Sequence, residues 1–193
     1  MSAAEGDRLM IALPPQPDLD LASLVRTIPD FPRPGIQFRD ITTLIGDAVG
    51  FAESVRRLSA CAAAYRPDLI VAVEARGFLF GAAMATAMGL GVVPVRKAGK
   101  LPGVTIGVDY ELEYGTDRLE LHEGAVLPGH RVVLVDDLLA TGGTILATAA
   151  LMRSVGAEVA AALFVIDLPD LGGSARLGAA GLRCETLIAF NGD

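Results

Sequence analysis

One string constrains this chain more than any other: Val132 to Thr144, reading VVLVDDLLATGGT. Its opening run of Val and Leu is what a strand buried on both faces requires. Two acids follow, Asp136 and Asp137, then Leu138 and Leu139, then a loop of small residues and hydroxyls from Ala140 to Thr144. From Thr144 to Val155 the pattern is helical, and Gly156 is placed to cap that helix. A strand that passes through a tight loop into a helix is the building unit of an α/β sheet. Ligands of such sheets bind outside the carboxyl ends of the strands. Gly142 and Gly143 let backbone amides approach an anion closely. The first turn of the helix adds unpaired N–H groups and the positive end of its dipole. Thr141 and Thr144 add hydroxyl donors. The string lacks the Gly-Lys-Ser/Thr of a Walker loop and the glycine spacing of the dinucleotide fingerprint. It suits a sugar phosphate, with carboxylates on the ribose hydroxyls and amides on the 5′-phosphate.

The rest of the chain agrees with an α/β sheet. LIVAV (69–73) is a short apolar run that predicts a buried strand, and RVVLV (131–135) and the apolar run 159–166 predict two more. Residues 47–64 show helical spacing through Phe51, Val55, Leu58 and Cys61. The uncharged stretch 77–95 is about the length of a bilayer span. Its glycines, Pro94 and change of pattern instead predict a helix over 77–88 and a strand over 91–95. Residues 185–190 predict a last strand, and Asp20–Ile28 predicts a short first helix. Phe31 to Asp40 is too rich in proline for a helix and predicts a rigid irregular loop. The alternating, glycine-containing residues 97–118 predict a hairpin or flap. Strands alternating with helices imply parallel pairing through crossover helices. The fold class is therefore α/β with a largely parallel central sheet flanked by helices. Residues 1–17, with three prolines, read as a flexible extension, and 18–193 as a single domain.

Charge narrows the function. The net charge of −7 argues against nucleic acid as a partner, since that affinity depends on many Lys and Arg neutralising phosphates. Cys61 and Cys184 have no metal-ligand spacing and read as thiols in a reducing compartment. The first residues carry early acids and no apolar core, unlike a secretory signal. A cytoplasmic protein without a membrane anchor is expected.

The string Val132–Thr144 resembles the phosphoribosyl pyrophosphate (PRPP) motif of type I phosphoribosyltransferases. Residues 28–42 (IPDFPRPGIQFRDIT), 74–81 (EARGFLFG), 95–103 (VRKAGKLPG) and 112–122 (LEYGTDRLELH) resemble the adenine-specific branch of that family, in the family's order. The resemblance implies transfer of a phosphoribosyl group from PRPP to adenine, giving AMP and pyrophosphate. It implies that Asp136 and Asp137 hold the ribose hydroxyls and that Ala140, Thr141, Gly142, Gly143 and Thr144 bind the 5′-phosphate. Residues 28–42 become a hood over the base and 97–118 a lid that excludes water. Arg76 falls in the pyrophosphate loop, just after a non-proline cis peptide that this family often has. An arginine at a helix start is electrostatically poor unless an anion binds there.

Arg96, Lys97 and Lys100 form a basic cluster suited to pyrophosphate. The resemblance places Phe38 and Leu138 on the two faces of adenine, and backbone near Gln37 and Arg39 at its exocyclic amine. It places Glu113 at the imidazole edge as the catalytic acid, beside Tyr114. It also implies Mg²⁺ carried mainly on PRPP and pyrophosphate, and a homodimer. Two other readings stay open on the residues alone: the same chemistry on xanthine, hypoxanthine or orotate, and a PRPP-sensing regulator without catalysis.

Overall fold

Asp47 starts the first long helix by accepting the Gly50 N–H at 2.7 Å, as an N-cap aspartate does. In a computed structural model of the chain, described over residues 14–112 and 115–192, that helix runs Ala48–Ala64 (α2). It follows a two-stranded hairpin, β1 (Arg26–Pro29) with β2 (Gln37–Asp40), and a short helix α1 (Thr42–Gly46). The elements after α2 are β3 (Leu69–Val73), α3 (Gly77–Met88), β4 (Gly91–Lys97), β5 (Thr105–Leu112), β6 (Gly115–His122), β7 (Arg131–Leu139), α4 (Gly143–Ser154), β8 (Glu158–Asp167), α5 (Gly173–Ala179) and β9 (Cys184–Ala189).

Seven strands form one sheet in the order β5-β6-β4-β3-β7-β8-β9. The five strands from β4 to β9 pair in parallel, and the β5–β6 hairpin adds antiparallel to β4. Alternation along β7 divides the core. Val133 and Val135 face the layer of α2 and α3, with Leu58, Phe80 and Met84. Val132 and Leu134 face α4, with Ile145, Ala149 and Met152. Gly81 lets α3 lie close on β3, where an added Cβ would stand 2.6 Å from that of Ala72. Among the described residues no helix is long and apolar enough to cross a membrane. The uncharged run 77–95 divides at Gly89, whose φ of +67° ends α3 before β4 begins.

Two expectations need correction. The helix expected over Asp20–Ile28 is a 3₁₀ turn, Ala22–Leu24, followed by β1. The Asp20 carboxylate accepts the Ala22 N–H at 3.0 Å, a local turn that competes with helix. The apolar positions Leu21 and Val25 are buried all the same. The loop expected over Phe31–Asp40 is regular in its second half, because Gln37–Asp40 pairs with Pro29–Arg26. Helix α1, α5 and the 3₁₀ turn Pro169–Leu171 had no counterpart in the sequence reading.

Residues 16–19, half of them assigned to the extension, are pinned to α2. The Gln16 N–H donates to Glu53 Oε2 at 3.1 Å, and Arg57 Nη2 donates to the carbonyls of Gln16, Pro17 and Leu19. Glu53 is buried and also accepts from Arg56 and Arg57. Arg56 leads in holding its carboxyl down at about 2, against burial, which works to raise it. Asp40, bonded to Thr42 and Arg26, also lies at about 2. A depressed folded value means stability that is fully present above the usual carboxylate range and is lost as pH falls through about 2. Glu53→Gln should therefore lower the urea midpoint at pH 7 by an equivalent of roughly 1–3 kcal/mol. The difference from the parent should shrink as pH falls from about 5 towards 2.

Candidate active site at the end of strand β7

Strand β7 outruns one of its neighbours. It pairs with β3 only from Val132 to Val135, but with β8 as far as Leu139. Asp136 and Asp137 therefore lie within the strand, which runs four residues past the apolar run RVVLV (131–135). On the side that β3 leaves free, the segment from Glu74 to Gly77 comes in. Gly77 stands so close that an added Cβ would lie 2.8 Å from the Val135 carbonyl and 2.9 Å from Asp136 Oδ1. The peptide between Glu74 and Ala75 is cis, just before Arg76 as expected.

The two acids have different surroundings. Asp137 is buried and accepts from Arg76 Nε at 2.5 Å. Asp136 Oδ1 accepts the Asp137 N–H at 2.9 Å. Burial, and then the adjacent charge of Asp137, push the Asp136 carboxyl well above the usual carboxylate range. Donors arriving from a sugar or a cation would relieve that repulsion.

The loop that follows is built for close approach. Gly142 holds φ at +78° at the start of α4, a conformation that favours glycine. The loop is backed by α5, where an added Cβ on Gly173 would lie 2.2 Å from the Ala140 carbonyl. Arg176 Nη1 reaches the Thr141 carbonyl at 3.4 Å. Asp136, Leu138 and residues 140–144 line one recess of about 100 Å³. Larger recesses of about 650 Å³ beside α2 and about 480 Å³ beside α5 contain no paired acids, so size does not locate the chemistry.

The basic cluster is already engaged with carboxylates. Arg96 donates to both oxygens of Glu74 at 3.2 Å and to the Lys100 carbonyl at 2.9 Å. Burial works to raise Glu74, but Arg96 and the Lys97 N–H hold its carboxyl below the usual value. The Lys97 ammonium pairs with Asp117 Oδ2 at 3.0 Å, which raises the lysine and lowers the aspartate. Among the described residues no carboxylate pairs with Lys100. The expected residues thus gather in two groups. Asp136, Leu138 and the loop surround the recess, with Arg76 joined through Asp137. Arg96, Lys97 and Lys100 sit at the end of β4.

In the β1–β2 hairpin, Phe38 stacks edge-on against Phe31 with centroids 5.2 Å apart. By strand alternation Phe38 shares the face of Asp40, whose charge acts on Arg76. Arg39 takes the other face and lies over the Phe190 ring, 4.6 Å from its centroid. Its side chain is thus spent on that ring. Glu113 and Tyr114 lie outside the described residues.

Sequence reasoning missed Glu74, Asp117 and Gly173. Glu74 follows LIVAV directly, so the rule that ligand sites lie at strand ends could have found it. Nothing local marks Asp117 or Gly173, because their partners lie far away in sequence. Gly173→Ala should push the loop 140–144 out of place and lower kcat/KM roughly a hundredfold. Gly178→Ala, in the same helix with nothing within 4 Å of an added Cβ, should leave it unchanged. Steady-state kinetics on both variants checks the pair.

Comparison with known proteins agrees with this geometry. A family model described as phosphoribosyl transferase domain matches residues 41–176. The adenine phosphoribosyltransferase of Erythrobacter litoralis is 58% identical over 173 residues, covering 90% of this chain and 97% of that protein. That of Bradyrhizobium sp. is 54% identical over 175 residues, covering 91% and 98%. The crystal structure of adenine phosphoribosyltransferase from Thermoanaerobacter pseudethanolicus superposes with a TM-score of 0.83 at 51% identity, covering 88% of this chain and 98% of that one. The Saccharomyces cerevisiae enzyme, crystallised with an imino-altritol bisphosphate and adenine, gives 0.80 at 37% identity, covering 87% and 96%. The sheet order, the acids ahead of the phosphate-type loop and these likenesses agree: the chain belongs to the phosphoribosyltransferase family, in its adenine phosphoribosyltransferase branch.

Proposed function

We propose that the chain transfers the 5-phosphoribosyl group of PRPP to adenine, forming AMP and releasing pyrophosphate, as a step of purine salvage. The observation that carries this is the meeting of Asp136, Asp137, Arg76 and the 140–144 loop at the end of β7. The purine ring nitrogen bonds to C1 of the ribose as the bond from C1 to pyrophosphate breaks, and the ring N–H proton is lost. The sugar carbon passes through an oxocarbenium-like state, as in other glycosyl transfers.

Each part of the site has a share in that step. Residues 140–144 hold the 5′-phosphate, and Asp136 and Asp137 hold the ribose hydroxyls. Arg76, Arg96, Lys97 and Lys100 face the pyrophosphate, where negative charge grows in the transition state. Arg76, Arg96 and Lys97 exchange their present carboxylate partners for pyrophosphate oxygens. Phe38 and Leu138 enclose adenine beneath the hood of residues 28–42, and backbone at Gln37 and Arg39 reads its amine. The hairpin over 97–118 closes as a flap. On that flap Glu113 holds the imidazole edge and, in the reverse direction, protonates the departing base.

Among the described residues no three His, Cys, Asp or Glu side chains gather as a metal site. The donor set fits Mg²⁺ as an ion carried on the oxygens of PRPP and pyrophosphate, its ordinary mode in phosphate chemistry. Bound so, it neutralises charge on the leaving group. The protein acts as a cytoplasmic homodimer, a reading supported by the family resemblance and, for the compartment, by two free cysteines.

Incubation with PRPP, Mg²⁺ and one base at a time should yield nucleotide and pyrophosphate with adenine alone. Turnover of hypoxanthine, guanine, xanthine or orotate instead would sink the base assignment while leaving the PRPP site. Glu113→Gln should lower kcat about a hundredfold with little change in PRPP binding. Near-parental turnover in that variant would remove Glu113 from the mechanism.

A further inference from the structure

We infer that Phe190 is a positioning residue for the base: through the Arg39 side chain it anchors the hood hairpin. The inference rests on the reading that the hood covers adenine. Among the described residues, strands β1 and β2 pair only with each other and form a sheet apart from the seven-stranded one. Their placement therefore comes from side chains and from the flanking chain, buried at Leu21 and Val25 before β1 and at Ile41 after β2. Arg39 makes the longest-range of these contacts, to residues about 150 positions away. Its guanidinium lies over the Phe190 ring at 4.6 Å. Nη1 donates to Thr27 Oγ1 at 2.8 Å, and Nη2 donates to the carbonyls of Asn191 and Gly192 at 3.5 Å each.

An anchor is useful only if its far end is fixed, and this one is. The Phe190 N–H donates to the Asp167 carbonyl at 3.0 Å, and the Gly192 N–H donates to Asp170 Oδ2 at 2.7 Å. Asp167 is the last residue of β8, and Asp170 lies in the turn that leads from β8 to α5. The same segment ends at Gly173, which backs the Ala140 carbonyl of the phosphate loop. The hood and the phosphate loop thus take their positions from one short stretch of chain, residues 167–173. A cation over an aromatic face suits the joint, because the ring tolerates small lateral shifts of the guanidinium that a single hydrogen bond would not. The strand's other face remains free to carry Phe38 towards the site.

The test uses the full chain with Phe190→Ala, Phe190→Tyr and Arg39→Gln. Phe190→Ala should raise KM for adenine roughly tenfold, the factor a partly desolvated cation–π contact corresponds to, and leave KM for PRPP within about twofold. Phe190→Tyr keeps the aromatic face and should restore the parental adenine KM. Arg39→Gln keeps the ring and loses the cation, and should reproduce the Phe190→Ala split. Hydrogen exchange reads the anchor independently of catalysis: Phe190→Ala should speed exchange at residues 26–40 and leave β7 unchanged. Faster hood exchange with no nucleotide formed from adenine by the parent would overturn the assigned activity and keep the anchor. Unchanged hood exchange would overturn the anchor whatever the activity. A parallel rise in both KM values that Phe190→Tyr fails to correct would also overturn it, by showing general loosening.

Discussion

The site depends on an inequality of strand lengths. β7 is flanked by β3 and β8, but its pairing with β3 stops at Val135 while its pairing with β8 continues to Leu139. The last four residues of β7 are therefore held straight from one side and open on the other. Backbone pairing to β8 fixes where Asp136 and Asp137 lie, and the open side admits the turn that carries Arg76. Gly77 makes that admission possible, since any side chain there would collide with the Val135 carbonyl and Asp136. Two adjacent carboxylates in a partly dry position repel one another. The Asp137–Arg76 pair and the Asp137 N–H on Asp136 are what the fold sets against that repulsion.

The same logic governs the cations. An acidic chain that must bind a polyanion has to keep its few positive groups in place without an occupant. Here a carboxylate holds each of three: Asp137 for Arg76, Glu74 for Arg96 and Asp117 for Lys97. Such partners orient the side chains, and a pair that water still reaches, such as Lys97–Asp117, contributes only up to about 1 kcal/mol. A diphosphate with several charges can displace them. Asp117 lies on β6, so the pair it makes with Lys97 also ties the β5–β6 hairpin to the strand carrying the basic cluster.

Much of this was legible because it is local. LIVAV, RVVLV and the helix over 77–88 declare themselves by apolar runs and glycine punctuation, and each formed where expected. The loop 140–144 stands out in the sequence for another reason: glycines, hydroxyls and a helix start fall in consecutive positions. What could not be read depends on distant pairing. β1 is a strand because Gln37–Asp40 lies beside it, and nothing within Arg26–Pro29 says so. Strand β7 continues past its apolar run because β8 does. Lys97 finds Asp117 because β4 and β6 run antiparallel with Lys97 opposite Leu119. The direction of the Arg39 side chain depends on Phe190, a residue whose neighbourhood only the finished sheet defines.

Those distant contacts converge on one region. Segment 167–173 touches β7 through the Leu168 N–H on the Leu139 carbonyl, supports the loop 140–144 at Gly173, and holds the chain after β9 at Asp167 and Asp170. Its own fold is secured by Ser174 Oγ donating to the buried Asp167 at 2.6 Å. A transferase of this kind must set a base and a sugar phosphate at a fixed separation, because small misplacements of reacting atoms cost large factors in rate. Two loops mounted on separate elements would drift independently. Mounting both on one short segment, itself hydrogen-bonded to the strand that carries the acids, makes that separation a property of the sheet edge.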